Sequence, residues 1–261
     1  MAQKIVLLMG GVGNRLFQIA RAYDLKQAGC DVITVDVERL PELNYLAGRW
    51  LGWTRHKLWI DIDKLTASLG LAHGSLPAFS RPALYVELAR SRLLGQRNRF
   101  NLPLAKDRRR IQIGYFQAHD CTTNQGMDAV GNAVRHLLPV DNHKSWNAVI
   151  HVRGGDFAAE DRLSQEMIQT FQGQVDGNCV CVTNDAPYVL SMFPALAFAP
   201  SAGPADDFMT ICRAGLIMAS NSTFCFWASL IAVRCFNSTL WNRPADSYWR
   251  TLDSDLARTN G

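Results

Sequence analysis

The residues best suited to chemistry lie in the second half of the chain, where His151-Val152-Arg153-Gly154-Gly155-Asp156 follows the apolar run 148–150. Such a run reads as a buried parallel strand, and ligands in an open α/β sheet bind outside the carboxyl ends of strands. An arginine there grips a diphosphate through paired hydrogen bonds, and neighbouring glycines clear space for it. Asp156 is placed to orient the arginine or to touch a ligand hydroxyl. A second group, Ser220-Asn221-Ser222-Thr223-Phe224, stands where a strand gives way to a helix. Its hydroxyls and the helix's first N–H groups suit a phosphate, although plain N-capping calls for the same residues. Thr183-Asn184-Asp185 ends another strand and suits a ribose or a base edge, or only a turn.

Near the start, Gly10, Gly11, Gly13 and Asn14 form a tight loop after the apolar run Lys4–Met9. Glycines let the backbone approach a ligand, and the helix that follows presents its N-terminus to an anion. A purely structural turn is the competing reading. The loop also imitates a dinucleotide fingerprint, because Asp36 follows at about 20 residues. Leu16, however, stands where the third glycine belongs. A dinucleotide-dependent oxidoreductase is therefore the weaker alternative.

Other candidates carry less. Asp61-Ile62-Asp63 is a DxD pair of the kind that holds a divalent metal, but no nucleotide loop lies near it, and no metal is expected. Asp253-Ser254-Asp255 is weaker still. The segment 90–110 is rich in arginine, which suits a solvated face or, as the bolder reading, peripheral contact with anionic lipid head groups.

These residues need elements to hold them. Lys4–Met9, a glycine loop and a helix bearing Leu16, Ala20 and Tyr23 make a strand–turn–helix unit that stops at Gly29. Asp31–Val37 and Ile111–Phe116 read as further strands, and residues 40–110 as short helices. A second series starts near Asn147, with helices expected near 161–172, 205–214 and 223–233 and strands over 178–183 and 216–220. Strands alternating with helices build parallel sheets. The fold class is α/β, with two Rossmann-like domains, 1–140 and 141–261, whose parallel sheets face a cleft.

The 261 residues, 48% hydrophobic and 19% charged, describe an ordinary globular protein rather than a disordered one. A net charge of +4 suits anionic small molecules and no dedicated nucleic-acid surface. Seven cysteines without a CxxC read as buried, reduced thiols. The stretch MAQKIVLLMGG is too short for a signal-peptide core with its cleavage site, so the expected location is cytoplasmic, with the sequons at Asn221 and Asn237 unused.

Taken together, the motifs resemble glycosyltransferase family 11, the alpha-1,2-fucosyltransferases. Gly10–Ala20 reads GGVGNRLFQIA, similar to GGLGNQMFQYA. Gly114–Gln117 matches a GYFQ segment, His151–Phe157 (HVRGGDF) resembles HxRRGDY, and Thr183–Asp185 (TND) resembles SDD. Asp207–Trp227 (DFMTICRAGLIMASNSTFCFW) resembles DLxLMSxCKHxIIANSTFSWW. The motifs keep the family's order over residues 10–227, with the middle third uncovered.

The resemblance implies a GT-B fold whose first domain receives the acceptor and whose second binds GDP-fucose. It implies inverting, metal-independent transfer of fucose to the 2-hydroxyl of a terminal galactoside, in a lipid-linked oligosaccharide of the surface-polysaccharide or O-antigen kind. Arg153 would hold the β-phosphate and stabilise departing GDP. His151 and Asp185 would lie near the guanosine, Ser222 and Thr223 at the phosphates, with Asn221 and Phe224 beside them, and Asn14 would reach the sugar nucleotide from the first domain. Asp156, with Glu160 and Asp161 near it, is the motif carboxylate available as base. Three residues depart from the pattern: Gly154 replaces the second arginine, Arg15 a glutamine and Asn184 an aspartate. Gly154 and Asn184 motivate a further alternative, a sugar-nucleotide-binding protein that has lost turnover.

Overall fold

The computed structural model describes residues 3–40, 58–77, 81–86, 102–106, 108–118, 120–138, 146–154, 163–175 and 177–255. The chain divides into two compact units, Met1–Leu137 and Leu138–Gly261. Each is α/β and carries a four-stranded parallel sheet.

In the first unit the elements run β1 (Gln3–Leu8), α1 (Val12–Gln27), β2 (Asp31–Asp36), α2 (Ile62–Ser68), β3 (Ala72–Gly74), β4 (Ile111–Gln112) and α3 (Asn124–Leu137). The sheet order is β3-β2-β1-β4. Ile5, Leu7, Val35 and Ile111 form part of one core, and α1 packs on β1, β2 and α3. β1 has no alternation because both its faces are covered, as expected of a parallel sheet.

Helix α1 ends as the sequence predicts. Gly29 takes φ +82°, its N–H donates to the Lys26 carbonyl, and the Cys30 N–H donates to the Leu25 carbonyl. That is a Schellman stop, which glycine makes at no steric cost. β4 is shorter than the expected strand over 111–116. The chain leaves the sheet at Gly114 (φ +155°) and turns at Phe116, which is held at φ +52°. An aromatic residue rarely adopts that conformation. Complete burial of Phe116 under the Arg21 guanidinium, 5.1 Å from the ring centroid, offsets its cost.

In the second unit the order is β5 (Trp146–Val152), α4 (Gln165–Gln174), β6 (Cys179–Thr183), α5 (Ala186–Met192), α6 (Pro204–Cys212), β7 (Ala214–Met218), α7 (Thr223–Phe236) and β8 (Thr239–Leu240). A 3-10 segment, Ser247–Asp255, follows. The sheet order is β6-β5-β7-β8. Ile150, Val152, Ile168, Phe171 and Cys181 pack on one another, while α6 contacts β5, β6 and β7. Helix α7 is buried over Cys225–Ala232, which explains its nearly unbroken apolar sequence. It ends at Asn237 in the left-handed region (φ +55°), a conformation asparagine tolerates. Helix α5 was not anticipated; its signature is Asp185, whose carboxylate accepts the Tyr188 N–H, with a proline in the first turn. No helix among the described residues is long and apolar enough to cross a membrane.

Candidate functional site

Parallel strands carry their exits on one sheet edge. In the second unit β5 comes first in the chain yet lies between β6, its successor, and β7. The strand order therefore reverses between β5 and β7, the place where open α/β sheets bind ligands. His151-Val152-Arg153-Gly154 leaves β5 there, and Ser220–Thr223 leaves β7 beside it.

Side chains tie these exits together. His151 is 5% exposed, and its Nδ1 lies 2.6 Å from the Ser220 hydroxyl. The ring lies 6.0 Å from that of Phe224, which makes an edge contact with Phe208 at 5.3 Å. Burial, with the Arg153 charge adding to it, pushes the His151 pKa down to about 3. The imidazole is therefore neutral near pH 7, and Nδ1 is committed to Ser220. Such a ring positions the β7 exit and is poorly placed to carry protons.

This makes a testable prediction. The unfolded ring titrates near its ordinary value of about 6.5. Between that value and about 3 the unfolded chain binds the extra proton. The contribution to stability is thus complete above the unfolded pKa and is lost as pH falls, by about 1.4 kcal/mol per pH unit at its steepest. Urea unfolding from pH 7 to 4 is expected to show this extra slope in the native protein but not in His151→Asn. Parallel profiles would show that the ring is not held neutral.

The β6 exit is equally close. The Gly154 N–H donates to Asn184 Oδ1 at 3.1 Å. A Cβ built on Gly154 would stand 2.5 Å from Asp185 Cβ and 2.7 Å from its Oδ2. Two departures from the family pattern thus touch each other, and Gly154 leaves room for Asp185 to cap α5. Gly154→Ala is expected to destabilise by about 1–3 kcal/mol through this overlap. Asp185→Gly in the same chain should recover part of the loss, read as thermal unfolding midpoints.

Helix α7 starts at Thr223, after its N-cap residue Ser222. The side chain of its N-cap residue, Ser222, makes no capping hydrogen bond, whereas Ser164 and Asp185 do cap α4 and α5. The Ser222 N–H is used within the turn, donating to the Ser220 carbonyl at 2.8 Å. Thr223 and Phe224 are half-buried at this end, and Asn221 is 9% exposed. The hydroxyl and the leading amides of the helix therefore form the anion-binding geometry expected of a helix N-terminus.

In the first unit β1 lies between β2 and β4, so the order reverses between β1 and β4. Gly10–Asn14 leaves β1 there, and Gly114–Gln117 leaves β4. Gly10 takes φ +78°, and a Cβ on it would meet Asn14 Nδ2 at 2.9 Å and the Tyr115 ring at 3.3 Å. Gly11 is the N-cap of α1 and Gly13 is buried in its first turn. Gln117 Nε2 donates to Asn14 Oδ1 at 2.7 Å, joining the two motifs.

Arg15, the third departure, is fully buried beneath this loop. Its Nε donates to the Gly10 carbonyl at 2.9 Å, and its other nitrogens pair with Asp36 at 2.5 Å and Glu38 at 2.7 Å. Asp36 also accepts the Glu38 N–H. The aspartate that would bind a ribose in a dinucleotide enzyme is thus engaged with the protein itself. Gln18 adds two bonds, accepting the Met9 N–H and donating to the Gly114 carbonyl.

No family model, curated protein or solved structure matches the chain. Asp156, Glu160, Asp161 and most of the basic segment 90–110 lie outside the described residues. The DxD carboxylates have structural tasks: Asp61 accepts the Lys64 N–H at the start of α2, and Asp63 pairs with Arg39 at 2.6 Å. Asp253 pairs with Arg243. The cysteines are free, and burial pushes the thiols of Cys181 and Cys225 up to about 12, which leaves them poor nucleophiles. Sequence reasoning missed Asn242, which lies beyond the last motif and bonds the Ala219 N–H and carbonyl through its carboxamide.

Proposed function

We propose that the chain is a glycosyltransferase of the GT-B type that moves L-fucose from GDP-fucose to the 2-hydroxyl of a terminal galactoside, with inversion and without a metal. The observation that carries this reading is the meeting of HVRG, TND and SNST at one strand edge, joined by His151–Ser220 and Gly154–Asn184. Those are the segments that the family resemblance assigns to the sugar nucleotide.

The chemistry then follows from charge. As the acceptor oxygen attacks the fucose anomeric carbon and passes its proton to a base, either a carboxylate such as Asp156 or a phosphate oxygen of the donor, the bond to the β-phosphate oxygen breaks and negative charge builds on GDP. Arg153, the Ser222 hydroxyl and the amides opening α7 take up that charge in this reading. Groups fixed before the reaction need no reorganisation as it proceeds. Asp185 faces the nucleoside. The acceptor is a galactose-terminated, lipid-linked oligosaccharide, and the basic segment 90–110 gives peripheral contact with the membrane that carries it.

The oxidoreductase alternative loses its ribose-binding group because Asp36 is committed to Arg15. The test is GDP release from GDP-fucose in EDTA over a panel of β-galactosides. Acceptor-dependent release is expected. GDP binding without release on any acceptor, with GDP-fucose or GDP-mannose, would leave a binding protein that lacks turnover.

A further inference from the structure

Strand β8 is short, pairing only Thr239 and Leu240 with Leu216 and Ile217 of β7. The Trp241 N–H adds one more ladder bond, to the Ile217 carbonyl at 2.8 Å. Backbone groups alternate in direction along a strand, so Ala219 presents its N–H and carbonyl to the same side as Ile217. β8 ends before reaching it. Ala219 is fully buried, and a buried backbone group without a partner is costly.

The Asn242 side chain closes this gap. Its Oδ1 accepts the Ala219 N–H at 2.7 Å, and its Nδ2 donates to the Ala219 carbonyl at 2.8 Å. One carboxamide thus replaces both backbone groups of the missing strand residue. Neither leucine, which lacks both groups, nor aspartate, which lacks the donor, reproduces that pair. Ala219 is the last residue before the Ser220–Thr223 turn, and His151 holds that turn from the β5 side.

We propose that Asn242 is a positioning residue for the phosphate-binding turn. It fixes the β7 exit so that the Ser222 hydroxyl and the first amides of α7 stand ready for a diphosphate ester. His151 and Asn242 grip consecutive residues, Ser220 and Ala219, the first from β5 and the second from the segment that follows β8. This inference rests on the sugar-nucleotide reading only for the identity of the ligand; the anchoring itself does not depend on it.

The experiment has two readouts on the full chain. Hydrogen exchange compares native protein with Asn242→Ala and Asn242→Asp, and calorimetry measures GDP binding to all three. Faster exchange confined to 219–225 is expected in both variants, with β5 and β6 amides unchanged. GDP affinity should fall about tenfold or more, as two lost hydrogen bonds of ordinary net strength imply. Unchanged exchange at the turn, or faster exchange spread over the whole unit, would overturn the positioning role. If the native protein binds no GDP while the localised exchange appears, the anchoring stands and the sugar-nucleotide reading falls.

Discussion

Arg153→Ala is expected to lower kcat about a hundred- to a thousandfold, the usual cost of removing one fixed group that stabilises developing charge. Arg153 is the first residue past β5, at the reversal of strand order, and is half-buried there. Its charge is close enough to help keep His151 neutral. Arg153→Lys keeps the charge but loses the planar pair of donors, so it should recover only part of the activity. Steady-state GDP release with both variants measures this. Acceptor-dependent release at the native rate from Arg153→Ala would remove Arg153 from the reaction. The melting temperature should stay near native in both variants, because the side chain lies at the edge of the sheet rather than in its core.

The second large effect is on stability. Arg15→Met is expected to cost about 3–5 kcal/mol, because it leaves Asp36 buried without its cation and the Gly10 carbonyl without a partner. In a chain of this size that corresponds to a fall of about 10 °C in melting temperature. Asp36→Asn in the same chain should recover a substantial part, since it removes the uncompensated charge and keeps an acceptor for the Glu38 N–H. A double variant no better than Arg15→Met alone would show that the ion pair is not what holds the loop. The pair explains how a charged residue can stand where the family pattern has a glutamine. Asp36 and Glu38 neutralise it inside the unit, and the guanidinium clamps the carbonyl of the glycine whose φ of +78° makes the turn.

Much of the fold was legible in the residues. Unbroken apolar runs such as 5–9 and 148–150 mark strands covered on both faces. Gly29 marks the end of α1, and the serines before Thr223 mark the start of α7. Legibility failed where tertiary contacts overrode local pattern. The stretch 111–116 looks like a strand, but the chain leaves the sheet at Gly114 and turns at Phe116, which is buried beneath Arg21. Helix α5 escaped notice because a single capping aspartate and a proline are a faint signal in seven residues.

By itself the sequence determined which residue types were available at the strand exits: an arginine beside glycines, hydroxyls before a helix, a glycine loop before another. Those choices are local, set by strand ends and turns, and can be read one segment at a time. Only the tertiary structure decided their partners. Strand order β6-β5-β7 brings residues 30 and 69 positions apart into contact, as Gly154–Asn184 and His151–Ser220. Tertiary contacts bury Arg15 in an ion pair with Asp36 and hold Asp63, of the candidate metal pair, in a surface ion pair with Arg39, and they give Asn242 a task that no motif marks. The physical reason is that sheet pairing is non-local: the order in which parallel strands lie side by side depends on where each helix packs, which no short run of residues encodes.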